Sequence, residues 1–211
     1  MSYKRSPLMQ ERMQQNRHSI LQSAREIMTQ GGLKDAQIQA IAERAGVSSG
    51  LVYRYFSNKN QILIEVLSDA ITHEIQILNS IAAKKELTAS QKLNKAVSTF
   101  VKRALNSPQL AYSLMFEPVD PEIEHARFQS KQVIKQAINE ILAEGKVNGE
   151  FEFEDLNTAG LCIVGAMTFV VIEPLNPSRN VRFDDAYKNY FVEQVAQFCL
   201  KAVQPIATEP N

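Results

Sequence analysis

The sequence predicts an all-α protein of about nine helices, and three observations carry that expectation. Apolar residues recur at spacings of three and four along almost all of the 211 residues, the period of a helix with one buried face. Helix stop and start signals separate these runs: Gly31-Gly32, Gly46, Pro108, Asp120-Pro121, Pro174 and Pro177. No stretch alternates apolar and polar residues as a strand does, and there is no internal repeat or low-complexity tract.

The elements follow in order. Met13, Ile20, Leu21, Ala24, Ile27 and Met28 form the apolar face of a first helix that the two glycines end. Ile38, Ile41, Ala42 and Ala45 define a short second helix, closed by Gly46. Ser48 is a good N-cap for a third. Ser57 is expected to cap a long fourth helix carrying Ile62, Leu63, Val66, Leu67, Ala70, Ile71, Leu78 and Ile81. Thr88 with Gln91 reads as a capping box. It opens a helix with Leu93, Ala96, Val97, Phe100, Val101, Ala104 and Leu105 on one stripe. A short apolar segment, Leu110 to Phe116, follows Pro108. Asp120-Pro121-Glu122 supplies a cap, a first-position proline and first-turn acid for a helix ending near Gly145. Asp155 starts an apolar helix reaching Ile172, and Asp184 or Asp185 starts an amphipathic last one.

Composition narrows the classes. Apolar residues make up 45% and charged residues 22%, so the chain can bury a core and is not a disordered or fibrous protein. Two cysteines cannot make a disulfide framework and fit a reducing compartment. The N-terminal segment is too polar for a signal peptide. The apolar run Ala159 to Ile172 is shorter than the ~20 residues of a membrane helix. The expectation is a soluble cytoplasmic protein with no membrane association. Its net charge is zero, with 23 residues of each sign, but the distribution is uneven. Residues 1–60 hold nine Lys/Arg against four Asp/Glu, and the remainder carries the opposite imbalance. A basic module attached to an acidic body is indicated.

Ile38 to Lys59 carries the informative pattern, IQAIAERAGVSSGLVYRYFSNK. Two short helices meeting at a tight glycine turn have helix-turn-helix geometry. Ala42 must be small for the second helix to cross closely. Gly46 sits where φ is expected to be positive. Ile41, Ala45, Val47 and Val52 point inward. The second helix begins Ser48-Ser49-Gly50-Leu51, and short side chains there let its N-terminus approach a groove or phosphate. Tyr53 and Tyr55 offer hydroxyls, Arg54 and Lys59 offer charge, and Lys4, Arg5, Arg12 and Arg17 form a basic arm. Phe56 is read as core.

The run from Leu21 to Leu63 resembles the TetR (tetracycline repressor) family. The matching positions are Ile41-Ala42, Ala45-Gly46-Val47-Ser48, Gly50, Val52-Tyr53, Tyr55-Phe56, Lys59 and Ile62-Leu63. The resemblance implies a dimeric transcriptional regulator, usually a repressor, whose two recognition helices enter successive major grooves of a palindromic operator, ~34–36 Å apart. It also implies a small-molecule effector that shifts the helix joining the two domains, here Ser57 to about Ala82. The expected division is residues 1–56 as an N-terminal three-helix helix-turn-helix DNA-binding domain and 57–211 as a C-terminal helical ligand-binding and dimerisation domain. Carried over by position, Ser48, Ser49, Gly50 and Leu51 face bases or adjacent backbone. Tyr53, Tyr55 and Lys59, with Arg54, hold phosphates, and Gln37 and Gln39 contact phosphates or bases. Ala36 stands where the family often has Thr, so Asp35 is the substitute cap. Ser49 and Leu51 also depart from the common residues, which bears on the operator sequence.

Gly46-Val47-Ser48-Ser49-Gly50 also fits the hydrolase nucleophile elbow, G-x-S-x-G. That motif needs a strand before the serine, and the residues before Ser48 read as helix. No enzymatic activity is expected. A DNA-binding regulator without a small-molecule ligand is the other alternative.

In the body, Phe100, Tyr112, Met115, Phe116, Phe128, Cys162, Met167 and Phe169 are candidate liners of an apolar pocket for a hydrophobic or aromatic effector, with Glu117 or His125 orienting a polar end. Gly160 and Gly165, beside Ala159 and Ala166, allow close helix approach, and Phe191, Val195 and Phe198 offer apolar area. The last two helices are therefore the expected homodimer interface. His18, His73 and His125 lack ligand-pair spacing, so no metal site is expected, and no cofactor. Cys162 and Cys199 read as buried apolar residues, with a redox switch at Cys162 as a minor alternative.

Overall fold

The computed structural model describes residues 7–178 and 183–205. Among these are nine α-helices and no strand. They are α1 (Pro7–Gly31), α2 (Ile38–Arg44), α3 (Ser49–Tyr55), α4 (Lys59–Ala82), α5 (Ala89–Asn106), α6 (Pro108–Met115), α7 (Pro121–Val147), α8 (Leu156–Phe169) and α9 (Asp185–Lys201). A 3-10 segment, Val170–Leu175, continues α8. The all-α class and the helix order are those the periodicity predicts.

The caps follow the sequence signals in most places. Thr88 and Gln91 form the reciprocal capping box of α5. Asp155 accepts from the Thr158 N–H at the start of α8, and Asp184 accepts from Tyr187 at the start of α9. Three expectations fail. The cap of α4 is Asn58, whose side chain accepts from Gln61 N–H, while Ser57 bonds the Gln61 side chain instead. Asp120 occupies the cap position of α7 but turns its carboxylate to Asn60 Nδ2, 2.8 Å away. Asp35 does not replace a cap on α2, where Gln37 stands at the cap position with no side-chain bond to the helix.

Two apolar cores organise the chain. The first gathers Ile20, Ala24 and Met28 of α1 with Ile41, Val52 and Phe56. It also takes in Ile62, Leu63 and Val66 of α4, and Leu110 and Ile123 from α6 and α7. The second is built around Leu93, Val97, Phe100, Ile138, Leu142, Met167 and Cys199 of the body. Packing therefore does not divide at residue 56. The first turns of α4 belong to the N-terminal core, and Leu78 and Ile81 near its other end belong to the body.

α8 differs from its expected form. With the 3-10 segment it makes 20 helical residues, Leu156–Leu175, long and apolar enough to cross a membrane by length and composition. Only 33% of that window is buried within the chain. The helix starts after Asp155 as expected and runs on past Ile172 through the 3-10 turn to Leu175. Ile163, Val164 and Met167 face the body core, while Leu161, Cys162, Gly165 and Phe169 are exposed.

Candidate nucleic-acid interface and body cavity

Backbone conformation fixes the α2–α3 crossing. Gly46 has φ +68, and a Cβ there would meet no atom within 4 Å. Conformation, not crowding, is thus what calls for glycine at this turn. The Val47 N–H donates to Ala42 O at 3.0 Å, folding the chain back so that Val52 and Phe56 seal against Ile41. Ser48 caps α3 by accepting from the Leu51 N–H at 3.2 Å. Its hydroxyl thus follows a helix, α2, and starts another, which is not the strand–turn–helix setting of a nucleophile elbow.

α3 presents Gly50, Tyr53 and Arg54 to solvent, with Ser49, Leu51 and Tyr55 half-buried. Tyr53 is 57% exposed. The Tyr55 hydroxyl accepts from Asn16 Nδ2 at 3.4 Å, which ties it to α1. Gln39 is exposed, and Gln37 turns its amide to Lys34 O at 2.8 Å. The cations divide into two groups. Arg17 is paired with Glu65 and lies over the Phe56 ring, 5.2 Å from its centroid. Arg44 reaches Glu26 at 3.5 Å and Gln30 at 3.2 Å. Arg12, Lys34, Arg54 and Lys59 form no ion pair among the described residues. Lys4 and Arg5 lie outside the described residues.

In the body, a cavity of about 140 Å³ lies among α4, α5, α6 and α7. Its apolar lining includes Leu67, Ile71, Phe100, Leu114, Met115 and Ile134. Arg25 of α1 also reaches it. Of the expected liners, only Phe100 and Met115 are there. Tyr112 borders a surface groove with Ile172 and Glu173. Phe116 packs against Tyr112 and Phe169. Phe128 lies on the outer side of α7 at 60% exposure, Met167 is fully buried in the body core, and Cys162 and Phe169 are on the open side of α8. Glu117 and His125, the expected polar anchors, are also absent from the lining. Glu117 instead accepts the Leu33 N–H at 2.9 Å and the Ser113 hydroxyl at 2.8 Å.

The charged lining was missed: Arg103 paired with Glu74 at 2.9 Å, together with His73, Arg127 and Lys131. One signal was available for Arg127. It stands between Ile123 and Ile134 on the apolar stripe of α7, where a charge is out of place.

The expected interface residues of the last helices also separate. Gly165 and Phe198 are on open surface, Phe198 at 67% exposure. Gly160 is buried under Asn139 of α7, and Val195 is in the body core, 9% exposed. Both serve packing within the chain. Phe191 is half-buried, packed with Phe183 and Tyr187.

A helix-turn-helix with uncommitted cations on its outer face, joined by one continuous helix to a body with a cavity, defines a DNA-binding regulator. Comparison with known proteins agrees. Residues 20–66 match the family of bacterial regulatory proteins, tetR family. The chain is 29% identical over 152 residues to the fatty acid metabolism regulator protein of Bacillus subtilis (strain 168), covering 70% of this chain and 77% of that one. It is 29% identical over 137 residues to the HTH-type transcriptional regulator BetI of Escherichia coli (strain K12 / DH10B), covering 61% and 69%. Its fold is similar to the crystal structure of the transcriptional regulator FadR from Bacillus subtilis in complex with stearoyl-CoA. That match has a TM-score of 0.74 and 22% identity over 89% of this chain and 99% of the other. Residues 20–66 are thus those of a tetR-family DNA-binding unit, and over most of its length the chain is similar to DNA-binding transcriptional regulators.

Proposed function

We propose that the chain is a cytoplasmic repressor that holds a palindromic operator as a homodimer and releases it when a small molecule enters the body cavity. The observation that carries this reading is the double membership of α4. Its Ile62, Leu63 and Val66 are part of the core that holds α3, while Leu67, Ala70, Ile71, His73 and Glu74 line the cavity. A ligand that needs a different cavity shape acts directly on the helix that positions the DNA-reading unit. On DNA, Ser48, Ser49, Gly50 and Leu51 meet the bases or adjoining backbone. Tyr53, Arg54, Tyr55 and Lys59 hold phosphates, with Gln37 and Gln39 at the edge of the contact.

Residues 1–56 carry the DNA contact and 57–211 the effector and the second copy, with α4 shared. The open side of α8 and α9 supports the homodimer. Leu161 and Phe169 are exposed at 59% and 61%, and Tyr190 and Phe198 at 58% and 67%. Gly165, with open space where a Cβ would stand, lets a partner helix approach. Selection of bound fragments from a genomic DNA pool tests the reading. The expected result is an enriched palindrome with half-sites ~34–36 Å apart. Uniform weak binding with no enriched site would sink it.

A further inference from the structure

We propose that the effector is a small apolar molecule bearing a carboxylate, and that this carboxylate docks on the Nε side of Arg127. The inference deepens the ligand-responsive reading and rests on it. Arg127 lines the cavity and is 3% exposed. Its Nη1 donates to Glu117 O at 2.7 Å and to Glu124 Oε2 at 3.1 Å, and its Nη2 donates to Ser113 O at 2.6 Å. Those bonds use both Nη1 hydrogens and one on Nη2. By count the Nε–H and one Nη2–H remain; Nε has no partner among the described residues and is closed to a water-sized molecule, so a ligand reaches it only by displacing the lining beside it. Two parallel N–H groups on a guanidinium are what a carboxylate takes in a bidentate pair.

The rest of the lining fits an anion with an apolar tail. Lys131 stands one turn along α7 from Arg127, and Ser130 lies beside it. Arg103 is paired with Glu74, the only acidic residue among the described lining residues, and Arg127 is paired on its Nη1 side with the more exposed Glu124, so Lys131 supplies the charge in excess. About 140 Å³ is close to the size of apolar cavity known to admit benzene. One ring or a short chain fits it as it stands, and only the carboxylate end needs the lining to give.

The same guanidinium joins the cavity to the DNA-reading unit. Its other side holds the carbonyls of Ser113 and Glu117 at the end of α6. The Glu117 carboxylate in turn takes the Leu33 N–H in the turn between α1 and α2. A carboxylate on the free side of Arg127 pulls the guanidinium away from these acceptors and so loosens that latch.

The test uses the full chain and matched probes: benzoate against benzamide, and hexanoate against hexanamide, with inorganic phosphate alone as a further arm. Binding is read by calorimetry and release by operator affinity. The acids are expected to bind at least tenfold more tightly than the amides and to weaken operator binding. Lys131→Gln should reduce that preference and Arg127→Met remove it. Should Arg127→Met fail to fold, Arg127→Lys keeps the charge without the Nε side and should still lose most of the preference. Glu117→Gln should leave acid binding intact and weaken its effect on DNA. Equal binding of acids and amides, binding of none of the four, phosphate binding as tightly as benzoate, or a preference surviving in both Arg127 variants would each overturn the proposal. Operator binding without probe is measured alongside. Its loss counts against the regulator reading itself, whereas its presence with no acid preference counts only against this inference.

Discussion

Salt dependence of operator binding separates the cations that the fold leaves available from those it has used. Arg54 is exposed on α3 with no ion pair among the described residues, whereas Arg17 is paired with Glu65 and stacked over Phe56. Each phosphate neutralised contributes a slope of about −0.9 in log affinity against log salt, so Arg54→Gln in both copies of a dimer should flatten the slope by about 1.8. Between 50 and 200 mM salt, on these numbers, the native protein should lose about tenfold more affinity than the variant. Arg17→Gln should leave the slope nearly unchanged. It should cost roughly 0.5–1 kcal/mol of stability, because it removes a partly exposed ion pair and a ring contact. The assay is fluorescence anisotropy with labelled operator over a salt series, with thermal melts of each variant. An Arg17→Gln slope as flat as that of Arg54→Gln would refute the claim that Glu65 withholds Arg17 from DNA. An unchanged slope for Arg54→Gln would refute the placement of α3 against the phosphates.

Further outcomes follow from the body. Phe198→Asp on the open side of α9 should give monomers by light scattering at micromolar concentration and weaken operator binding, while leaving the melting curve cooperative. Burial pushes the Glu150 carboxyl up, but the N–H groups of Ser90 and Ala89, each 2.9 Å away, and the Ser90 and Thr88 hydroxyls outweigh it, so the group sits below its ordinary value. A lowered carboxyl adds stability above its unfolded pKa and loses it as pH falls through the folded one. Glu150→Gln should therefore lower Tm at neutral pH, with the gap closing below about pH 4. Burial pushes the Cys199 thiol up to about 11, so alkylation of the folded protein should spare it. Cys162 should react in the Phe198→Asp monomer and be shielded in the dimer. In Gly160→Ala the new Cβ would lie 1.9 Å from Asn139 Oδ1, so the buried Asn139 side chain must turn away from Asn157 or α7 and α8 must part, at about 1–3 kcal/mol by chemical denaturation.

Local signals were legible because local chemistry decides them. The Thr88 box, the Ser48 cap and the positive φ of Gly46 each depend on a few neighbouring residues, and each stands where the sequence places it. Signals with two local solutions were less secure: Ser57 and Asn58 both precede α4, and tertiary contact with Asn60 drew Asp120 away from its own helix. The exposure of Gly50, Tyr53 and Arg54 on α3 was readable because so short a helix leaves little choice of face. The cavity was not. An aromatic or methionine at helical spacing is equally suited to core, pocket or open surface, and Met167, Phe100 and Phe169 went to one each. Which side of α8 faces inward depends on α7 and α9 together. That is why Gly160 and Gly165, five residues apart in one helix, have opposite surroundings.

A cavity of about 140 Å³ raises the question of whether so small a ligand could switch a repressor. Moving a two-state equilibrium from mostly bound to mostly released takes about 5.5 kcal/mol of differential affinity. The best small ligands reach roughly 1.5 kcal/mol per non-hydrogen atom, so a molecule of benzoate size has a ceiling of about 13 kcal/mol. Size alone is therefore no obstacle. The demand falls on discrimination, since a ligand that binds both conformations equally shifts nothing. An apolar tail surrounded by Leu67, Ile71 and Ile134 gains much the same in either conformation unless α4 moves. A carboxylate that pulls the Arg127 guanidinium toward itself changes which acceptors at the end of α6 stay held, and through Glu117 whether Leu33 stays held. The charged end of the ligand is thus where discrimination between conformations is strongest. In the proposed homodimer, with one ligand in each copy, each needs to supply only half of the total.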